Sequence, residues 1–152
     1  MKNKLINFFK FFVAVMASYL FASIAHTQFV LAGLINIGVN ISISDRLSMT
    51  MSDIIGLAPG YGAVIFVALA VGFLLINAIS KWVFPLPNFR YAIAGFAAMA
   101  VALLAMYPLL NVTLIAGARE PAGFFTQCVA GFFGGLVFMS MNKKPEQRRL
   151  FR

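Results

Sequence analysis

The chain has 152 residues, 62% of them hydrophobic and 11% charged, with a mean hydropathy of +0.93 and a net charge of +8. That composition excludes an ordinary soluble domain and predicts an integral membrane protein. The basic excess does not point to nucleic acid, because the lysines and arginines flank apolar segments and no aromatic stacking platform or recognition helix accompanies them.

A hydrocarbon core about 30 Å thick takes about 20 residues of helix, and residues 11–35, 61–80, 91–110 and 121–141 each meet that length. The expected fold is therefore an all-α, four-transmembrane-helix bundle forming one membrane domain over residues 1–152, with a basic tail at 142–152. Lys2, Lys4 and Lys10 precede the first segment, Lys81 and Arg90 lie between the second and third, and Lys143, Lys144, Arg148, Arg149 and Arg152 follow the fourth. The opposite side holds Arg46 and Arg119 with the acids Asp45, Asp53 and Glu120. The excess of Lys and Arg in cytoplasmic loops then predicts both termini inside, in a bacterial cytoplasmic membrane.

The first segment admits a rival reading. Lys2–Lys10 fit the basic region of a secretory signal, Phe11–Leu20 its apolar stretch, and Ser23-Ile24-Ala25 a small-residue cleavage site. Apolar residues resume from Phe29 to Ile35, where cleavage would strand them, so an uncleaved span is favoured. In the external loop at 36–60, Val39, Ile41 and Ile43, then Leu47, Met49 and Met51, alternate with polar residues as in a hairpin. An isolated hairpin is marginal in water, and Leu47, Met51, Ile54 and Ile55 also form a stripe at helical spacing. A short amphipathic helix over 46–57, lying on the outer membrane surface, is the expectation.

Between the second and third segments, Pro85 and Pro87 break the chain on the inner side, and Trp82 and Tyr91 flank them at the interfacial level. Pro121 follows Glu120 at the start of the fourth segment, where its missing N–H costs nothing and the acid complements the helix dipole. Gly123, Gln127, Ala130, Gly131 and Gly134 share one face of that segment, and Gly131 and Gly135 form a GxxxG pair. Small residues let helix backbones approach closely in lipid, so these positions are expected to pack against another helix of the same chain, with a homo-oligomer or partner contact as the alternative.

Gln127 lies about 9 Å below the outer boundary, at 1.5 Å of rise per residue. His26 and Gln28 approach that depth from the first segment, where Tyr19, Ser23 and His26 share a stripe. A polar cluster of His26, Gln28 and Gln127 is expected in the outer third of the bundle, with Tyr107, Arg119 and Glu120 above it, as a ligand pocket or as interhelical hydrogen bonding. No Asp, Glu, Lys or Arg lies within any span, which argues against ion-coupled transport. The single Cys128 excludes a CxxC motif, and the lone His26 has no second ligand at metal spacing, so no metal or cofactor is expected. The basic tail residues Lys143, Lys144, Arg148, Arg149 and Arg152 are candidates for anionic-lipid contact.

These features favour a non-enzymatic accessory or oligomer-forming membrane component, with membrane lipids and further copies or a larger membrane complex as partners. The alternative is a protein that binds or passes a small amphipathic molecule, a lipid or quinone, through the polar outer pocket. An enzyme using His26 as acid or base is the weakest reading, because spacing identifies no second catalytic group.

Overall fold

A computed structural model describes residues 2–82, 89–110 and 121–142. Its elements in chain order are α1 (Lys2–Asn36), α2 (Ile43–Gly56), a π-helical turn (Ala58–Gly62), α3 (Ala63–Trp82), α4 (Arg90–Leu110) and α5 (Pro121–Asn142). The described residues are 93% helical with no strand, and three helices, Lys4–Asn36, Ala58–Ser80 and Pro121–Asn142, are long and apolar enough to cross a membrane. A shorter apolar stretch, Arg90–Met106, occupies most of α4.

The candidate cleavage site falls in the middle of the continuous helix α1, where Ala22 and Ser23 are fully buried. The alternating pattern at 39–51 yields no strand. Instead Ser42 opens α2 with a capping box: its Oγ accepts from the Asp45 backbone N–H at 3.1 Å, and its own N–H donates to the Asp45 carboxylate at 3.2 Å. Two orphan backbone donors are thereby satisfied together. The box starts the helix at Ile43, three residues before the expected start, and Gly38, at a φ of 90°, supplies the left-handed turn after α1.

The packing order runs α1, α5, α4, α3, with α5 at the centre between α1 and α4. Small residues make both central contacts possible. A Cβ on Gly134 would meet Ser18 Cβ at 2.8 Å and the Ala14 carbonyl oxygen at 3.0 Å, so this glycine lets α1 close on α5. On the next face of α5, a side chain on Gly131 would strike the Gly95 carbonyl, and one on Gly135 would strike the Tyr91 carbonyl. The GxxxG pair is therefore spent inside the molecule, against α4. Gly123, Gln127, Ala130, Gly131, Gly134 and Gly135 are all buried, and Cys128 is buried with them because α5 has neighbours on two sides.

Aromatic rings pack together at one end of the helices. Phe73 stacks on Phe138 at 4.9 Å between centroids, and Phe11 meets Phe66, Phe73 and Phe138 edge-on. Tyr91 packs edge-on to Phe138 and donates its hydroxyl proton to Asn77 Oδ1 at 2.6 Å, while the Arg90 guanidinium lies 4.9 Å from the Tyr91 ring centroid. Lys10 Nζ donates to Asn142 Oδ1 at 3.1 Å, so the start of α1 and the end of α5 lie at this same end.

Candidate functional site

Polar side chains gather where α2 and the π-helical turn cover the C-terminal half of α1 and the N-terminal part of α5. The deepest group centres on Gln127, which is fully buried. Its Oε1 accepts from the Tyr61 hydroxyl at 2.7 Å, and its Nε2 donates to the Ala22 carbonyl at 3.1 Å. One side chain on α5 thus joins the π-helical turn to α1. The turn presents Tyr61 because the Tyr61 and Gly62 N–H groups both bond the Leu57 carbonyl, a widening of the helix at Pro59, which has no N–H to give.

The second group lies between α1 and α2. Arg46, Thr50, Asp53 and Leu57 fall four, three and four residues apart, which places them on the face of α2 turned to the bundle, and all four are partly buried. The Arg46 guanidinium donates to Gln28 Oε1 at 3.1 Å. Asp53 Oδ2 lies 2.8 Å from the Thr27 hydroxyl, which is also within 3.1 Å of the Ser23 carbonyl, and the charged oxygen is the stronger acceptor. The Tyr19 hydroxyl donates to the Ile54 carbonyl at 2.6 Å. Asp53 also acts electrostatically on His26, which is buried on α1, and on Tyr19. At the exposed start of α2, hydrogen bonds from the Ser42 side chain and backbone hold the Asp45 carboxyl below its usual range.

The residues singled out in the sequence are therefore distributed. Gln127 and Gln28 bond different partners, and His26 feels the charge of Asp53 on α2. The Tyr107 side chain, Arg119 and Glu120 lie outside the described residues, as do Lys143, Lys144, Arg148, Arg149 and Arg152. Sequence reasoning passed over Thr27, Asp53 and Tyr61 as hydrogen-bonding members of the site. The signal for Asp53 was present, since Arg46, Thr50 and Asp53 make a polar stripe on the helix that was expected there.

Chemically, the cluster is a latch. Its hydrogen bonds run among its own side chains and to backbone carbonyls. No group of three or more His, Cys, Asp or Glu able to hold a metal occurs among the described residues.

A different opening lies between α3 and α4. It is an apolar groove of about 760 Å³, floored by small residues such as Ala68, Gly72, Ala94 and Ala98 and walled by Leu75 and Val101. The two helices touch where a Cβ on Gly72 would sit 2.7 Å from Ala98 Cβ, and they leave the groove open along their outer side. No family model matches the chain, and neither a curated protein nor a solved structure matches it.

Proposed function

We propose that the chain is a non-enzymatic, four-span component of a bacterial cytoplasmic membrane, with both termini inside, which associates with a further apolar helix through the α3–α4 groove. The groove carries this reading. Elsewhere in the bundle small residues mark places where helices close to backbone contact, as at Gly131 with Gly95 and Gly134 with Ser18. The groove has the same kind of floor with its outer side open, and in lipid such surfaces drive helix association through packing. The polar cluster, by contrast, directs its hydrogen bonds among its own side chains and to backbone carbonyls.

The four-span reading is supported by α4, which continues for 21 residues, about 31 Å at 1.5 Å per residue. The contact of Lys10 with Asn142 agrees with an inner end marked by basic flanks. Labelling tests it. In a Cys128→Ser background, an impermeant thiol reagent applied to intact cells should modify Ser48→Cys and spare Gln147→Cys, and the reverse pattern would invert the orientation.

Native mass spectrometry of protein extracted gently from its own membrane tests the association. Multiples of the 16.6 kDa chain, or a second polypeptide, are expected. Ala97 lines the groove from an exposed position on α4, so Ala97→Phe should fill it and reduce the associated form without unfolding the bundle. A second reading has one observation behind it, the groove's lining without polar side chains, which suits an acyl or isoprenoid tail. A monomer carrying one defined small molecule, lost in Ala97→Phe, would replace the helix-association reading with that one.

A further inference from the structure

α2 exposes its apolar side. Ile43, Leu47, Met51 and Ile55 recur every four residues and are 78%, 65%, 59% and 73% exposed, whereas Arg46, Thr50 and Asp53 turn toward the bundle. Placing each residue about 100° further around the helix divides α2 into three sectors. The bundle-facing sector holds Arg46, Thr50, Asp53 and Leu57. The apolar sector is centred about 110° away from it, and a polar sector of Asp45, Ser48 and Ser52, all exposed, lies about 115° beyond that. Met49, exposed on the polar flank, is the one apolar residue out of place.

Three sectors in that order describe a helix with protein at its side, one apolar surface below and water above. From this we infer that α2 floats in the lipid interface, with the Ile43, Leu47, Met51 and Ile55 stripe inserted among acyl chains and the Ser48–Ser52 side toward water. Its level along the bundle agrees. Gln28, which Arg46 bonds, lies opposite the start of α5: Ala22 is level with Gln127, and six further residues along antiparallel helices lead to Gln28 and Pro121. The turn that follows α2 already belongs to the apolar segment Ala58–Ser80. An exposed apolar face at the end of the spans meets the boundary between headgroups and acyl chains, where amphipathic helices bury their apolar side about 5–10 Å deep. The other edge of the same helix closes the latch through Asp53 and the Ile54 carbonyl. Lipid on one side and the His26–Thr27–Gln28 turn of α1 on the other thus hold α2 in place together.

That the leaflet is the outer one rests on the orientation proposed above. The lipid contact does not, and the two are measured separately. Single-tryptophan variants Leu47→Trp, Met51→Trp and Ser48→Trp are made in a Trp82→Phe background and reconstituted into phosphatidylcholine vesicles with and without dibrominated acyl chains. Leu47→Trp and Met51→Trp should lose about half or more of their fluorescence to the brominated lipid, as expected for side chains inserted to acyl depth. Ser48→Trp should be little affected by bromine and quenched by aqueous iodide. Leu47→Trp and Met51→Trp emission open to iodide and indifferent to bromine would overturn the insertion. So would indifference to both quenchers, which would place protein over the stripe. Ser48→Cys labelled from the cytoplasmic side would move α2 to the inner leaflet and overturn the orientation, leaving the bromine result intact.

Discussion

Gly131→Ala is the sharpest perturbation of the bundle, because the added carbon has nowhere to go. On the backbone as it stands, that Cβ would overlap the Gly95 carbonyl oxygen and Met99 Cγ and sit 3.0 Å from the Gly95 carbonyl carbon. Nonbonded carbons rest about 3.5–4.0 Å apart, so α4 and α5 must separate by roughly 1 Å. The main obstacle is backbone, which cannot swing aside as a flexible side chain would. Overpacking of this kind costs about 1–3 kcal/mol, which for a chain of this size lowers the melting temperature by about 3–10 °C. Gly33→Ala is the matched control, since nothing lies within 4 Å of its added carbon. It should raise stability by about 0.5–1 kcal/mol through helix propensity alone. The native Cys128 is buried and reports unfolding to a thiol-reactive dye in detergent. Native-like melting of Gly131→Ala with an unchanged oligomeric state would refute the close α4–α5 contact. A loss of oligomers with unchanged monomer stability would show that the GxxxG pair serves a second chain instead.

The latch and the cap make further predictions. In a double-mutant cycle, Tyr61→Phe and Gln127→Leu should couple by about 0.6 kcal/mol and no more than about 1.7, as for other interhelical hydrogen bonds in membranes; additive losses would mean that the 2.7 Å contact contributes nothing. Asp53→Asn should increase amide exchange in α2 while leaving α4 and α5 protected, because the acid bonds Thr27 across the α1–α2 contact; equal loosening of α4 would contradict a local latch. Ser42→Ala should cost α2 about 1 kcal/mol of helix stability and return the Asp45 carboxyl toward its usual range, read as an upward shift in its NMR titration. The sign follows from the depressed value: the contribution is complete above the ordinary carboxylate pKa and is lost as pH falls through the folded one. The start of α2 should therefore fray under acid in the native chain, and this acid dependence should diminish in Ser42→Ala, which keeps only the backbone N–H bond to Asp45. Asn77→Leu should weaken the ring-packed end by removing the acceptor of the Tyr91 hydroxyl, and an unchanged melting temperature would show that the ring stack alone holds it.

How legible this was in the sequence depends on which physics each element answers to. That the chain is helical and apolar follows from composition and periodicity; in the structure α1 begins at Lys2, nine residues before the expected segment, and the glycines of α5 are buried. The start of α2 was missed by three residues, because alternation through Val39, Ile41 and Ile43 competes with a capping box whose signature, Ser42 followed by Asp45, uses Asp at the position where Glu or Gln is usual. Partners in the polar cluster were harder to foresee. Gln127 was expected beside His26 and Gln28, yet it bonds Tyr61 and the Ala22 carbonyl, a pairing set by the widened turn at Pro59, to which helical periodicity is blind.

The orientation of α2 shows why periodicity alone stops short in a membrane. Leu47, Met51, Ile54 and Ile55 read as one apolar stripe, but Ile54 is half-buried beside α1, while Leu47, Met51 and Ile55 point away from the bundle. In water an apolar stripe seeks the protein core, so the stripe itself tells which way a helix faces. At a bilayer surface the acyl chains compete for that stripe on equal terms, and direction is decided by the polar residues, which must find donors and acceptors. Here α1 offers Gln28 to Arg46, Thr27 to Asp53 and the Tyr19 hydroxyl to the Ile54 carbonyl. Those three bonds turn the polar stripe inward and leave the apolar one to lipid. A Thr27→Val, Gln28→Leu double variant removes two of the three, and should therefore leave α2 membrane-bound but rotationally loose. The expected signature is a broadened distribution of bromine quenching depths at Leu47→Trp with little change in its mean; unchanged, sharply defined depths would show that lipid alone sets the helix's direction.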